Sequence, residues 1–245
     1  KALEKSQEDR YPSAAAFATL TLKNYRFLAQ YGEVASALQN TLWMVLITAT
    51  STVVLSFFVS LVVVRSKFWG RKLLDQLAFL PHAIPGIVMG IAFFWVFLKI
   101  DFLPIYGTIW AMSIGFTVGF LSYGTRSMNA ALLQVHKELE EAAYVSGARP
   151  WRTLWRVFLP LMMPSFVGVW IWVILHAVRI AGLPLILYEG PQNQVLSILI
   201  WNMWDEGYVP AVAAIGTLLM LALLLLTLAV RYIGFRRQLV QLPNL

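Results

Sequence analysis

A chain of 245 residues that is 59% hydrophobic and 13% charged, with a mean hydropathy of +0.70, belongs among polytopic membrane proteins rather than soluble domains. The net charge of +7 does not point to nucleic acid, because Lys and Arg sit in short clusters at the ends of apolar runs, where membrane topology explains them. The absence of cysteine removes disulfides, thiolate metal sites and Cys nucleophiles, and His82, His136 and His176 are scattered over three segments without forming a sequence-local metal cluster.

In chain order, residues 1–39 mix charges with Tyr and Phe and read as an external N-terminal segment. Residues 40–232 read as the transmembrane domain and 233–245 as a cytoplasmic tail. Five apolar runs, Thr41 to Val64, Leu77 to Leu98, Leu103 to Tyr123, Leu161 to Ala181 and Pro210 to Val230, are each long enough to cross a hydrocarbon core of about 30 Å. The fold class expected is all-α: a polytopic helix bundle of about five transmembrane helices.

The connections set the orientation. Arg65, Lys67, Arg71 and Lys72 follow the first run. Arg126, Lys137, Arg149, Arg152 and Arg156 follow the third, and Arg231, Arg236 and Arg237 follow the fifth. The positive-inside rule places all of these in the cytoplasm. The alternate connections hold Lys99 with Asp101, and Glu189, Asp205 and Glu206 without Lys or Arg in the loop 182–209, which places them outside. The described segment then starts outside and ends in the cytoplasm.

Between the third and fourth runs, residues 126–160 form the one long polar interval flanked by long apolar runs. Met128, Ala131, Leu132, Val135, Leu139, Ala142 and Ala143 recur at helical spacing and predict one amphipathic helix from Met128. Gly147 suits its left-handed stop, and Pro150 suits the first turn of the next helix. In that helix Trp151, Leu154, Trp155 and Phe158 share a face opposite Arg149, Arg152 and Arg156, the pattern of a helix lying at a membrane surface.

Glu141-Ala142-Ala143, three residues, Gly147, nine residues and Val157-Phe158-Leu159-Pro160 resemble the EAA loop of the permease subunits of bacterial ABC importers, with Val in place of the usual Ile. A bare Glu-Ala-Ala would carry nothing, since both residues are good helix formers; the spaced set between two membrane runs is specific. The resemblance implies a type I importer permease fold in the bacterial inner membrane. It also implies a coupling helix that docks on an ATP-hydrolysing subunit, through Leu139, Glu140, Glu141, Ala142, Ala143, Ser146, Gly147 and Ala148. The partners implied are ABC ATPase subunits, a second permease half or copy, and a periplasmic solute-binding protein. ATP and Mg would belong to the ATPase, with no cofactor in this chain. Thr21 to Phe27 resembles the segment before the first core span of such permeases. Double-length permeases of this type exist, and the chain fits the second half of one.

Four residues are pathway or gate candidates. Pro81 and Pro85 lie four apart in the second run, where each removes an N–H and opens the helical ladder; this reads equally as a packing kink. A Pro-x-x-x-Pro-Gly segment also resembles ferric-ion permeases. Arg179 lies near the outer end of the fourth run, within reach of headgroups or of an external acid such as Glu189. Glu189, with Asp205 and Glu206, is offered to a basic partner surface, while Trp201 and Trp204 fit an interfacial belt.

The chain has no Gly-x-x-x-x-Gly-Lys-Ser/Thr with which to cradle ATP, so it is not itself the ATPase. An intramembrane enzyme would need a reactive pair at one depth, and no Gly-x-Ser-x-Gly is present. A channel or secondary transporter would show an ionisable relay in its spans, which here are almost free of charge. The whole chain resembles ferric-ion permeases most, with thiamine, polyamine and phosphonate permeases close behind. No cluster of Tyr, His and carboxylate at fixed spacing supports iron directly.

Overall fold

The apolar runs fold as helices, since lipid offers no partner to a free backbone N–H or C=O. The computed structural model describes residues 22–100 and 105–240. The segment up to Thr21, Asp101 and the tail beyond Val240 lie outside the described residues, as do the side chains of Arg231, Arg236 and Arg237. In chain order the helices are α1 (Leu22–Gln30), α2 (Gly32–Arg65), α3 (Arg71–Phe79), α4 (Gly86–Lys99), α5 (Ile109–Gln134), α6 (Lys137–Val145), α7 (Pro150–Thr153), α8 (Leu159–Ala177), α9 (Gly182–Leu187), α10 (Leu196–Asp205) and α11 (Val209–Val240). Among the described residues β structure is limited to an isolated parallel bridge between Gly107 and Tyr188.

The chain divides into two compact units, Ser36–Ile198 and Lys1–Ala35 with Leu199–Leu245. Within Ser36–Ile198, α5 is central and packs against α3, α4, α8 and α9. Its small residues let neighbours approach: a Cβ on Gly115 would sit 2.9 Å from Leu183 Cδ1. A Cβ on Gly124 would overlap the Ser56 hydroxyl and lie 3.0 Å from Ser56 Cβ. Its hydroxyls bond back to their own helix, Ser113 to the Ile109 carbonyl and Thr117 to the Ser113 carbonyl, both at 2.7 Å. In the other unit α1 packs on α11, and Phe27 stacks on Tyr208 with ring centroids 5.8 Å apart.

Among the described residues, Gly32–Arg65, Trp151–Ala177 and Val209–Val230 are long and apolar enough to cross a membrane, and the pair Arg71–Ala83 with Gly86–Lys99, bent by 112°, is apolar enough only when taken together, as a broken span or a re-entrant loop. α5 is long enough at 26 residues, but its Gly, Ser and Thr dilute its hydropathy and it is not among these spans, so the five expected runs give four at most among the described residues. The second run is therefore a broken helix, not a kinked one: a 3₁₀ turn at Leu80–Ala83 leads to Pro85, which precedes α4 with an extended ψ of 139°.

Two further expectations change. The amphipathic helix from Met128 is two helices, because α5 continues to Gln134 and the backbone turns extended at Val135 and His136 before α6 starts. The apolar face of the first half, Met128 and Leu132, is fully buried, whereas α6 has no buried residue. Nor is the Trp-rich helix a separate surface element: residues 151–177 form one continuous helix with a π turn at Leu154–Phe158. Trp151 and Trp155 face outward while Phe158 is buried.

Candidate coupling loop and transmembrane cavity

The candidate coupling loop is a short helix with a defined stop. α6 is nine residues long, with Glu138 and Glu140 in its first turn, where carboxylates meet the positive end of the helix dipole. Gly147, at φ +75°, ends it. The Gly147 N–H donates to the Tyr144 carbonyl at 2.9 Å and the Ala148 N–H to the Ala143 carbonyl at 3.0 Å, the paired bonds of a Schellman stop. Ser146 Oγ donates to the Ala142 carbonyl at 2.8 Å. Leu139, Tyr144 and Val145 are exposed, Val145 at 90%, so the helix presents apolar side chains outward. Of the eight residues expected to dock, Leu139 to Ala143 lie on α6, and Ser146, Gly147 and Ala148 form its cap.

Charged contacts tie this loop to the spans. Arg65, the last residue of α2, pairs with Glu140 on α6 at 3.7 Å and stacks over the Phe158 ring at 5.4 Å. Arg126 on α5 pairs with Asp75 on α3 at 3.2 Å and lies 4.9 Å over the Phe79 ring. Asn129 donates to the same carboxylate at 3.4 Å. In the sequence Arg65 and Arg126 read as topology markers; their acidic partners, 75 and 51 residues away in the chain, leave no spacing signal.

A cavity of about 270 Å³ lies beside the broken helix, bounded by Pro81, His82, Gly86, Phe120, Tyr123 and Trp172 among others. Trp172 is sandwiched between Tyr123 at 3.7 Å and His176 at 3.9 Å between ring centroids. His176 Nδ1 lies 2.8 Å from the Trp172 carbonyl and is therefore the donor. Of the four pathway candidates only Pro81 reaches this cavity. Pro85 opens α4, and Arg179 turns back on its own helix with Nε 3.0 Å from the Leu175 carbonyl. Among the described residues no ion pair joins Arg179 to Glu189.

Glu189 instead packs against Gly107, whose positive φ of 78° and lack of Cβ make room for it. Burial, and then the Glu189 charge, push the Tyr106 phenol above its ordinary 10.0. The loop after α9 is also sewn to α2, which the sequence did not show: Asn40 Nδ2 donates to the carbonyls of Gln192 and Gln194 at 2.9 Å each. Thr41 Oγ1 accepts from the Leu196 N–H at 2.7 Å. Among the described residues no group of three or more His, Asp or Glu is placed to hold a metal ion.

The chain resembles the "Ferric transport system permease protein FbpB" of Actinobacillus pleuropneumoniae, 28% identical over 215 residues, which cover 86% of this chain and 31% of that one. It thus spans about a third of that relative's length. It also resembles the "Probable sulfate transport system permease protein cysT" of Nephroselmis olivacea, 30% identical, with 81% of this chain and 74% of that one covered. The fold is similar to that of a bacterial ABC transporter involved in the import of the acidic polysaccharide alginate, with a TM-score of 0.69 at 18% identity, covering 87% of this chain and 83% of that one. Residues 52–238 match the model of the family described as binding-protein-dependent transport system inner membrane component, and the chain belongs to that family.

Proposed function

We propose that this chain is the membrane subunit of an ABC importer: with a second half or copy it forms the solute pathway, and ATPase subunits dock on its α6. It is not an enzyme. ATP and Mg belong to the ATPase partner, and a periplasmic binding protein delivers solute to the outer side. The observation that carries this reading is α6 itself, a nine-residue helix with no buried residue, capped at Gly147, with Leu139 and Val145 presented outward. A helix that buries nothing within its own chain is suited to bury its face in a partner. Movement of the docked subunits would tilt the spans between outward-open and inward-open states, a two-state element biased by nucleotide. The positive-inside pattern puts this helix in the cytoplasm, and with it the C-terminal end of the described chain.

Ferric ion is the solute we propose first, supported by likeness to a ferric permease across 86% of the chain. Sulfate is the second reading, favoured by a sulfate permease relative of which the chain covers 74%. Under either reading the tight ligand set resides in the binding protein. The test is ATP hydrolysis by the complex reconstituted in lipid with its ATPase and binding protein, offered ferric ion, sulfate, thiamine and a polyamine in turn. Stimulation by ferric ion alone supports the first reading, and stimulation by sulfate alone the second. No stimulation by any solute, with ATPase bound, counts against the importer reading itself.

A further inference from the structure

Arg65 touches three pieces of chain that meet at the coupling loop. Its Nη2 donates to the Leu132 carbonyl at 2.8 Å and to the Val135 carbonyl, both at the C-terminal end of α5. Carbonyls there carry the negative end of the dipole and keep lone pairs to spare, the Leu132 carbonyl accepting one backbone bond from the Val135 N–H at 3.2 Å, so a guanidinium caps them well. Its Nη1 faces Glu140 on α6, and its plane lies over Phe158, the last residue of the π turn. The side chain is 11% exposed and that of Glu140 23%, so the pair is shielded from the solvent that weakens surface ion pairs.

α6 has no buried residue, and an extended corner at Val135 and His136 joins it to α5. Packing therefore does little to fix the angle of α6, and the polar contacts at its first turn must do so. We propose that Arg65 is the positioning residue of the coupling loop, holding the corner between α5 and α6 rigid so that a displacement of α6 is delivered to α2 and α5. The proposal rests on α6 being the docking helix. Without the clamp the corner becomes a hinge: ATPases still dock, but their motion is absorbed there. Lys in this place keeps the charge but lacks the planar fork that serves two carbonyls and a carboxylate together.

The test uses the complete importer in lipid nanodiscs with its ATPase subunits. The chain has no cysteine, so Ile84→Cys, at the cavity wall, gives it a single labelling site. Maleimide labelling is timed without nucleotide and with ATP plus vanadate. The two rates differ in the parent. Arg65→Gln is expected to shrink that difference at least about fivefold, the scale of a lost coupling free energy, with the ATPases still bound and hydrolysing. Arg65→Lys restores part of it. Glu140→Gln lowers the difference too, and the double variant is no worse than Arg65→Gln alone, as residues acting through one contact require.

An undiminished difference in Arg65→Gln, or full additivity in the double variant, overturns the proposal and leaves the docking reading standing. ATPases that stay bound and coupled when Glu141→Lys and Gly147→Asp are combined remove the docking reading, and the proposal with it. Should Arg65→Gln not reach the membrane, Glu140→Gln carries the test alone, and an unchanged difference there overturns it.

Discussion

The indole of Trp172 on α8 lies flat on the phenol ring of Tyr123 on α5, 3.7 Å between centroids and 15° between planes. Phe120 meets the same indole edge-on at 5.5 Å. Both contacts hold α8 to α5 along the cavity wall. Trp172→Ala should lower stability by ~2–3 kcal/mol, under the range for a fully buried Trp because the residue is only half-buried and lines the cavity. Trp172→Phe should recover most of it. Thermal unfolding of the purified complex in detergent decides, and an unshifted midpoint in Trp172→Ala would show that the stack carries no weight.

At the seam of α2 and α5, Gly124 faces Ser56 with no room for a side chain. Gly124→Val should push the helices apart at a cost of about 1–3 kcal/mol, and Gly124→Ala less. Adding Ser56→Gly to Gly124→Ala should recover part of the loss, because the overlapping Ser56 atoms are gone and Thr52 Cγ2, at 3.3 Å, is the next contact. The unfolding midpoints of the three variants test this, and a double variant no better than Gly124→Ala would place the strain elsewhere.

At Gly147 a Cβ would meet nothing within 4 Å, so only the left-handed backbone resists substitution. Gly147→Ala should cost the cap roughly 1 kcal/mol and Gly147→Asn less. Gly147→Asp adds a charge to the face proposed to dock. Coupled ATP turnover should fall in the order Asp, Ala, Asn, with membrane insertion unchanged in all three. Wild-type coupled turnover in Gly147→Asp would remove this residue from the docking surface.

Tyr106 is held neutral by burial first and by Glu189 second. Its folded pKa exceeds the unfolded one, so its contribution to stability is complete below about pH 10 and is lost as pH rises through the folded value. Glu189→Gln should bring its phenolate absorbance in at lower pH, read as the difference from Tyr106→Phe. Superposable titrations with and without the Glu189 charge would show that burial acts alone.

The sequence carried the parts of this molecule that depend on local pattern. Apolar length marked the long helices, and Gly147 marked the stop of α6. Pro81 and Pro85 marked a break in the second span, though not a bend of 112°, which depends on what packs around them. The turn at Val135 and His136 was hidden because the apolar period runs through it. Only burial distinguishes Leu132, inside the bundle, from Leu139, outside it. Arg65 reads as a topology charge in any linear scan, since its carbonyl partners at 132 and 135 become neighbours only after α2 and α5 pack.

A π turn is an α-helix holding one residue more than its rotation requires. One residue of α-helix amounts to about 100° of azimuth and 1.5 Å of rise. The turn at Leu154–Phe158 therefore sets the face bearing Arg152 about 100° from where an unbroken helix would leave it relative to the span beyond. The loop and the span can thus look in two directions that a single amphipathic pattern could not serve, within one uninterrupted rod.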